Sequence, residues 1–397
     1  MDFHSCKFNY IRNFIFTQNF SMKNLQLVDL KTQYEKIESE VNAAVLNVLK
    51  STAFINGPEV KSFQAEFENY LDVKHVIPVA NGTDALQIAL MALGLKPGDE
   101  VISPSFTYIA TAEVIGLLNL TPIFVDVDRE TFCMNPDSLK AAITPKTKAI
   151  VPVHLYGHCA PMDEIMEIAN EHGISVIEDT AQGIGSSYTG KDGVSKKAGT
   201  IGTVGTTSFF PSKNLGCYGD GGAIMTNDDD LAAIIRMVSN HGQSKRYYHD
   251  VIGVNSRLDS IQAAILRIKL RHLDTYLSER NIAANFYNNE FSERPELTVP
   301  KTASYSDHGF HQYTLILNGV DRNELMKHLD KKGIPSNIYY PLPVHEQKSF
   351  AEIFEDRVSL ENTDYLKMKV ISLPMHTELD EEQLEFITSS VIEFLDQ

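Results

Sequence analysis

The sequence predicts an α/β protein built on a mostly parallel, seven-stranded sheet flanked by helices, with a smaller α+β domain at the carboxyl end. Apolar runs of strand length recur from residue 75 to residue 226, and helical patterns separate the first five of them. Continuous apolar strands that alternate with helices are typical of a parallel sheet covered on both faces. After a long helical segment, the pattern changes to a second set of strands and helices, which indicates a separate domain.

The elements of the sheet can be placed in order along the chain. The predicted strands are His75–Ala80, Glu100–Phe106, Pro122–Asp126, Ala149–Leu155, Ile174–Asp179, Thr206–Phe210 and Gly222–Thr226. The predicted helices between the first five strands are Thr83–Leu95, Ala110–Leu118, Asp137–Ile143 and Met162–His172. Because these runs lack a regular polar alternation, we expect both faces of the sheet to be buried.

The carboxyl-terminal elements follow a long predicted helix, Leu258–Arg280, which has apolar side chains on one face. Beyond it the sequence predicts a strand at Tyr313–Leu317, a helix at Arg322–Lys332, strands at Ile334–Tyr340 and Val370–Pro374, and a last helix with its N-cap box at Asp380–Gln383. The 397 residues exceed what one compact domain usually holds. We expect a poorly ordered extension over residues 1–21, a large domain over residues 22–265, and a linker helix with a small domain over residues 266–397.

Composition restricts the classes of partner and compartment. Lys and Arg total 35 against 52 Asp and Glu, a net charge of -17, which excludes nucleic acid as the main partner because phosphate backbones need a basic face. The cysteines are far apart in sequence, which favours free thiols in a reducing compartment; they are Cys6, Cys133, Cys159 and Cys217. No apolar run approaches the roughly 18–20 residues of a membrane helix, and residues 1–21 lack the pattern of a signal peptide. We therefore expect a cytoplasmic protein without a membrane partner.

One lysine stands between an apolar strand and a glycine-rich turn. Lys213 lies in the segment SFFPSKNLG, and the glycine-rich run Gly219–Ala223 follows it. A lysine that forms an imine must be partly neutral, which a desolvated pocket favours. A loop lysine is more often a solvated surface charge, but the apolar strand and the small neighbouring residues favour a pocket here.

A carboxylate ends another apolar run, upstream of the lysine. Asp179 closes the run that begins at Ser175, and open α/β sheets bind ligands at the carboxyl ends of their strands. The aspartate could cap a helix after Thr180, or it could pair with a pyridinium nitrogen. A lysine and such an aspartate are the two protein groups that the chemistry of pyridoxal phosphate (PLP) needs, so the pair predicts a PLP site.

Further contacts are predicted beside other strands. Asn81–Asp84 joins a strand to a helix, where free amides and the helix dipole favour an anion such as phosphate, and Ser208 could add a hydroxyl group. Tyr108 follows another strand and could stack on a flat ring, or it could be an ordinary core tyrosine. His154 and His158 lack the neighbouring carboxylate and histidine partners of a metal centre, so we expect no metal.

Five segments together resemble the DegT/StrS-type nucleotide-sugar aminotransferases, which are fold-type I PLP-dependent transferases. The likeness spans about residues 24–390 in unbroken order and rests on ANGTDAL (80–86), PSFTYIATA (104–112), EDTAQ (178–182), residues 208–222 and GVNSRLD (253–259). Some family members are sugar dehydratases with a histidine at the position of Lys213, so the chain is more similar to the aminotransferases. A sugar dehydratase and a non-enzymatic regulator are the alternatives.

The resemblance implies roles for the matched residues. Lys213 would carry the cofactor, Asp179 would pair with its pyridine nitrogen, and Gln182 would lie near its phenolic oxygen. Tyr108 would stack on the ring. The residues implied to hold the phosphate are Gly82, Thr83 and Ser208, with Asn255 reaching it from a neighbouring subunit. The resemblance therefore implies a homodimer with two shared sites.

Within the family, the chain resembles the UDP-2-acetamido-2-deoxy-3-oxo-glucuronate aminotransferases, particularly across Phe209–Asp229 and His241–Leu266. It departs from them where Tyr339 replaces a histidine, and Pro341–Gln347 resembles members that act on neutral keto-deoxysugars. We expect amino transfer from an amino acid, by resemblance L-glutamate, to a UDP- or dTDP-linked keto-sugar, with the 3-keto position favoured. The product would serve surface polysaccharide or amino-sugar biosynthesis. The predicted substrate contacts are Arg257, Tyr339, Tyr340 and His345.

The role of Arg257 has an alternative. The guanidinium group could bind the carboxylate of the amino donor or a charged part of the sugar substrate. It could equally form an ion pair with Asp259 or Glu279, which are close in sequence.

Overall fold

A computed structural model describes residues 25–354 and 356–397, so the predicted extension over residues 1–21 lies outside the described residues. The helices in these ranges are α1 (Leu30–Ser51), α2 (Pro58–Leu71), α3 (Gly82–Ala92), α4 (Ala110–Leu117), α5 (Pro136–Ala142), α6 (Met162–His172), α7 (Asp229–Val238), α8 (Ser260–Phe291), α9 (Arg322–Lys331), α10 (Glu361–Lys369) and α11 (Glu381–Leu395). None of them combines the length and the apolar character that a membrane crossing requires.

The strands in the same ranges include several short pairs at the surface. They are β1 (His75–Val79), β2 (Glu100–Pro104), β3 (Thr121–Val125), β4 (Thr147–Ile150), β5 (Ser175–Asp179), β6 (Ser187–Thr189), β7 (Ser195–Lys197), β8 (Val204–Ser208), β9 (Gly222–Thr226), β10 (Gln243–Lys245), β11 (Tyr248–His249), β12 (Leu297–Thr298), β13 (Ser306–Asp307), β14 (Tyr313–Leu317) and β15 (Val370–Leu373). Single 3-10 turns occur at Leu155–Gly157 and Val344–Glu346.

The main sheet has seven strands in the order β1-β9-β8-β5-β4-β2-β3. Neighbours from β8 to β3 are parallel, and only β9 runs against its two neighbours, β1 and β8. The predicted mostly parallel, seven-stranded sheet is therefore confirmed. Because β1, β5 and β8 run in the same direction, their carboxyl ends meet at one edge of the sheet, where open α/β sheets bind ligands.

Two predicted strands differ from the structure by more than two residues at one end or are absent from it. The fourth was predicted to run to Leu155, but β4 ends at Ile150, because Pro152 has no amide hydrogen to continue the ladder. The prediction of a strand over Ile334–Tyr340 was wrong: within this segment only Asn337 forms a bridge, to Ser372. The segment also contains a cis peptide bond between Tyr339 and Tyr340.

Helix α8 joins two large hydrophobic cores. Its first half packs Leu266 and Leu273 against α2 and β9, whereas its second half packs Tyr287 and Phe291 against β14, α9 and α11. It ends eleven residues later than the predicted Arg280, because the core of the small carboxyl-terminal sheet covers this added length. The predicted domain boundary at residues 265/266 falls inside α8, and the division into domains stays a prediction.

The sequence interpretation missed α1, α2, α7 and α10. Helix α2 carries Pro58 at its first position and buries Val60, Phe63, Phe67 and Leu71 at helical spacing. These are signals of an amphipathic helix that begins at a proline. Helix α7 begins after Asp228, whose side chain caps it by accepting hydrogen bonds from the amides of Asp230 and Leu231. Both helices were therefore detectable from local patterns.

Helix α10 receives its cap from a distant residue. Leu360 at its N-cap position offers no side-chain hydrogen bond. Instead, the Asp126 carboxylate at the end of β3 accepts hydrogen bonds from the amides of Asn362 and Thr363 and from Thr363 Oγ1, each at 2.8 Å. A negative charge at a helix N-terminus satisfies free amides and the helix dipole. This contact fastens the carboxyl-terminal region to the main sheet.

Replacing Asp126 with alanine should lower the free energy of unfolding by about 1–2 kcal/mol, the usual cost of losing an N-cap. Urea unfolding followed by circular dichroism would measure this loss. The matched control is Asp137→Ala, at an exposed aspartate in the first turn of α5 whose cap is supplied by Asn135. Equal stability of the Asp126 variant and the wild type would show that this distant cap does not stabilise the fold.

Candidate active site

A cavity of about 710 Å³ lies at the carboxyl edge of the main sheet. Its wall combines the ends of β1, β5 and β8 with the turns that follow them, and it is completed by residues 311–312 and 339–340 from the carboxyl-terminal region. The structure brings nine of the predicted site residues together here: Gly82, Thr83, Tyr108, Asp179, Gln182, Ser208, Lys213, Tyr339 and Tyr340. Tyr108, the predicted stacking residue, is 57% exposed.

Lys213 reaches the cavity from the turn that follows β8. Its backbone amide donates to Phe210 O at 2.9 Å, which closes the turn. Gly216 could not carry a side chain, because a Cβ there would lie 2.4 Å from Pro211 O. Burial lowers the pKa of the Lys213 amine to about 8, although the negative charge of Asp179 acts in the opposite direction. A substantial fraction of this amine is therefore neutral near physiological pH, as a nucleophilic lysine requires.

Asp179 is the last residue of β5 and is 5% exposed. Its Oδ2 atom accepts a hydrogen bond from Thr111 Oγ1 at 2.8 Å, and Oδ1 accepts one from the amide of Ala181 at 3.1 Å. No helix directly follows Thr180 in this described part of the chain, so the helix cap that the sequence left as an alternative is not formed. The carboxylate instead accepts from an amide of the turn after Thr180 and faces the cavity. Two donors on separate elements fix the orientation of the carboxylate. Thr111, which the sequence interpretation missed as a site residue, lies one helical turn after Tyr108.

The neighbouring carboxylate, Glu178, points to the opposite side of the strand and is fully buried. It accepts hydrogen bonds from the amides of Gly199, Ile201 and Gly202 and from His154 Nε2, at 2.6–2.9 Å. Burial alone would raise the pKa of Glu178, but these donors, led by His154, lower it. His154 Nδ1 accepts from the amide of Ala160 at 2.9 Å, so its Nε2 carries the donated proton.

The amino end of α3 lines the cavity and is its candidate anion site. The first intrahelical bond joins Ala85 N to Asn81 O at 3.1 Å, and the Asn81 side chain accepts from Asp84 N at 2.8 Å. The amides of Gly82 and Thr83 precede these bonds and are left for a ligand. A Cβ on Gly82 would lie 2.6 Å from Ser208 Cβ, so only glycine allows β8 to approach this turn.

Residues from the carboxyl-terminal region form the opposite wall. Gln182 Nε2 donates to the Tyr340 hydroxyl at 2.9 Å, and Gln182 Oε1 accepts from the amide of Tyr156 at 2.7 Å. The rings of Tyr108 and Tyr340 lie 6.3 Å apart at the mouth of the cavity. His311 and Gln312 were missed as site residues, and burial together with the charges of Lys213 and Arg280 lowers the pKa of His311. His311 and Gln312 reach the cavity only through the packing of distant segments, which local sequence patterns do not reveal.

Three predicted site residues lie outside this cavity. Asn255 is exposed and Arg257 is half-buried, on the segment whose Ser256 Oγ accepts from Ala80 N at 3.0 Å, beside the anion site. Within residues 25–354 and 356–397, Arg257 forms no ion pair with Asp259 or Glu279, the alternative that the sequence left open.

His345 hydrogen-bonds through Nδ1 to Ser105 Oγ at 2.7 Å and lines a separate surface cavity.

Two sets of possible metal ligands already have hydrogen-bond or ion-pair partners. His158, one of the two histidines considered from the sequence, donates through Nδ1 to Cys159 O and accepts through Nε2 from Ala303 N. Elsewhere in the described ranges, ligand atoms of His345, Glu346 and Asp364 lie within 4.8 Å of one another. Lys367 forms ion pairs with both carboxylates of this group.

The sequence was then compared with known proteins. The profile of the DegT/DnrJ/EryC1/StrS aminotransferase family matches residues 35–392. The chain belongs to this family. The match confirms the resemblance inferred from the five segments, and it identifies the protein as an aminotransferase.

Individual relatives match over nearly their full length. A UDP-2-acetamido-2-deoxy-3-oxo-D-glucuronate aminotransferase of Pseudomonas aeruginosa is 43% identical over 92% of this chain and 99% of that protein. A pleiotropic regulatory protein of Geobacillus stearothermophilus is 45% identical over 94% of this chain and 98% of its own. Among solved structures, NtdA from Bacillus subtilis with the bound cofactor PMP has a TM-score of 0.88 at 30% identity, covering 96% of this chain and 87% of that chain. These likenesses also confirm the predicted fold class.

The amine of Lys213 should be unusually reactive in cofactor-free protein. In competitive labelling with acetic anhydride, read by peptide mass spectrometry, acylation of Lys213 should rise with pH around a midpoint near 8, because only the neutral amine is nucleophilic. The exposed Lys61 is the reference residue, since an unperturbed lysine titrates at about 10.4. A midpoint above pH 10 for Lys213 would contradict its desolvation in this cavity.

Proposed function

We propose that the protein moves an amino group from an amino acid, L-glutamate, to a UDP- or dTDP-linked 3-keto sugar, using PLP attached to Lys213. The observation that carries this proposal is the meeting of Lys213 and Asp179 in one cavity, whose lining also includes Gly82 and Thr83 at the amino end of α3. The family is one of sugar aminotransferases, and NtdA, a relative of the same fold, binds PMP, the amino form of this cofactor.

The cavity fits PLP in both chemistry and layout. The amides of Gly82 and Thr83 and the hydroxyl of Ser208 suit a phosphate group. The Asp179 carboxylate, fixed by two donors, suits a protonated ring nitrogen. Leu86 and Val153 add an apolar surface to the cavity. These features suit the phosphate, the ring nitrogen and the apolar ring faces of the cofactor.

Bound PLP would supply a carbonyl carbon and a ring that accepts electrons. Lys213 would hold that carbon through Nζ until the amino donor displaces it. The released amine, with a pKa lowered by burial to about 8, is suited to take the proton from the donor Cα and to deliver it to the cofactor carbon that Nζ had held. Proton transfer of this kind typically contributes about 10²–10⁴-fold to the rate. Asp179 would keep the ring nitrogen protonated.

The charges of the cavity favour a neutral sugar ring. Within the described ranges, the lining includes two carboxylates, Asp179 and Asp220, and its cationic side chain is Lys213, which the cofactor would occupy. A uronate carboxylate would therefore lack a cation of this subunit. Tyr339, Tyr340 and Gln312 instead offer neutral hydrogen-bonding groups. The P. aeruginosa relative is named for a glucuronate substrate, and Tyr339 lies where we infer the two proteins differ.

We further propose a homodimer in which each subunit completes the site of the other. Large side chains are exposed on the loop after α7, where Tyr247 is 76% and Ile252 is 88% exposed, and at the cavity mouth, where Phe210 is 53% exposed. Exposed apolar groups of this size mark interaction surfaces. Asn255 and Arg257 lie on the same loop segment outside their own cavity, so a partner subunit could receive them.

The reaction can be assayed with a panel of 3-keto and 4-keto UDP- and dTDP-sugars and L-glutamate, with mass spectrometry of the amino-sugar and of 2-oxoglutarate. We expect amino transfer to a neutral 3-keto sugar. Lys213→Ala should abolish transfer and the visible absorbance of bound PLP, while the exposed control Lys61→Ala retains both. Asp179→Asn should keep the cofactor and lose at least about 10²-fold in turnover. A deoxygenated sugar formed without consumption of glutamate would instead identify a dehydratase.

Shared sites predict complementation between two defective variants. Lys213→Ala and Asn255→Ala subunits should each be impaired, but a mixed dimer contains one site with both native residues. Random reassociation of equal amounts of the two variants should restore about a quarter of the wild-type activity. Half of the dimers are then mixed, and each mixed dimer has one intact site out of two. Mixed dimers that form without any gain in activity would place Asn255 outside the partner's site.

A further inference from the structure

Two loops from distant parts of the chain are joined by one glutamine side chain. Gln182 follows β5 in the main sheet, whereas Tyr339 and Tyr340 precede β15 in the carboxyl-terminal region. Gln182 is 8% exposed and lies in the cavity wall directly after Ala181, whose amide binds Asp179. The contacts of the Gln182 side chain therefore determine which of its polar atoms faces a group bound in the cavity.

The orientation of the Gln182 amide follows from its partners. The backbone amide of Tyr156 can only donate, so the atom 2.7 Å away must be the carbonyl oxygen Oε1 of Gln182. The nitrogen Nε2 then faces Tyr340 and donates one hydrogen to its hydroxyl at 2.9 Å. An amide nitrogen carries two hydrogens, so a second N–H remains for the cavity. A flipped amide would place its NH₂ group against the N–H of Tyr156.

Tyr340 is itself held from three sides. Its ring lies edge-on to the fully buried ring of Phe106, with the centroids 6.2 Å apart. Its hydroxyl accepts from Gln182, and the carbonyl of the preceding residue, Tyr339, accepts from the hydroxyl of Tyr156. Tyr156 thus contacts both loops: its amide donates to Gln182, and its hydroxyl donates to the carbonyl of Tyr339.

The Tyr340 hydroxyl acts on Gln182 as a hydrogen-bond acceptor. The phenol stays protonated because burial raises its pKa, with a further contribution from Asp179. Loss of this oxygen would leave the amide held only at Oε1. The amide could then rotate about its last bond, and its second N–H would no longer be aimed into the cavity.

From these contacts we infer that Tyr340 is a positioning residue: it fixes the Gln182 amide so that the second N–H donates to the phenolic oxygen of bound PLP. The inference rests on the proposed cofactor. A donor at this oxygen withdraws electron density from it and weakens its attraction for the proton on the nitrogen that links the cofactor to Lys213. Docking of the carboxyl-terminal segment over residues 338–341 would thereby influence the protonation of the linkage.

The test is a pH titration of the visible absorbance of the holoenzyme, which reports protonation of the Lys213–cofactor linkage without turnover. In Tyr340→Phe, which removes only the hydroxyl, the midpoint should rise by about half to one pH unit, as expected for loss of one hydrogen bond. The dissociation constant for PLP should rise by about 3–10-fold. Gln182→Glu, which keeps the oxygen facing Tyr156 but replaces the donor, should shift the midpoint in the same direction.

The matched control is Tyr313→Phe. It removes a tyrosine hydroxyl that donates to the side-chain amide of Asn288 at 2.8 Å, outside the cavity. It should lower thermal stability as much as Tyr340→Phe while leaving the titration midpoint unchanged. A purely structural role for Tyr340 predicts the same behaviour for both variants.

The double variant separates direct from indirect action. If Tyr340 acts through Gln182, Tyr340→Phe should have no further effect on the midpoint in the Gln182→Glu background. A wild-type midpoint in Tyr340→Phe, or additive shifts in the double variant, would overturn the inference while leaving the aminotransferase function intact. A wild-type protein that gains no visible band with PLP would instead overturn the proposed function itself.

Discussion

A buried charge at the end of β5 determines how the active site is arranged. Glu178 lies in the core with no exposed surface, and an unpaired carboxylate there would be very unfavourable. Three amides from the turn before β8 and the ring of His154 supply its hydrogen bonds. Their positions are therefore tied to that of the carboxylate. Because side chains alternate along a strand, the same constraint aims Asp179 at the opposite side, into the cavity.

The site also depends on contacts between distant segments. Gly309 N donates to Gly157 O at 2.8 Å, and His311 N donates to Tyr156 O at 2.7 Å. Arg280, on α8, is 3% exposed and donates to the carbonyls of Phe310, His311 and Met375. These bonds hold the carboxyl-terminal region against the end of the main sheet. Glycine is required at residue 157, where a Cβ would lie 2.8 Å from Phe310 N and where φ is +98°.

Much of the fold was predictable because its signals are local. The limits of β9, α6 and β14 agree with the predicted runs, since an apolar strand or an amphipathic helix is encoded by consecutive residues. The predicted strand over residues 334–340 was wrong because an apolar run does not reveal whether a neighbouring strand will pair with it. The full length of α8 was missed because its later residues become apolar partners only when the small core packs on them.

The sequence by itself determined which residues could meet in the cavity: a lysine after one strand, an aspartate at the end of another, and a glycine at a helix start that follows a third. Strand direction alone then brings these residues to one edge of the sheet. Only the tertiary structure decided which distant side chains hold the cavity wall and the carboxyl-terminal region in place, through Thr111 on Asp179, Asp126 on α10, and Tyr340 on Gln182. Those partners are separated by 68, 236–237 and 158 residues, and hydrogen bonds between such distant residues leave no periodic signal in the sequence.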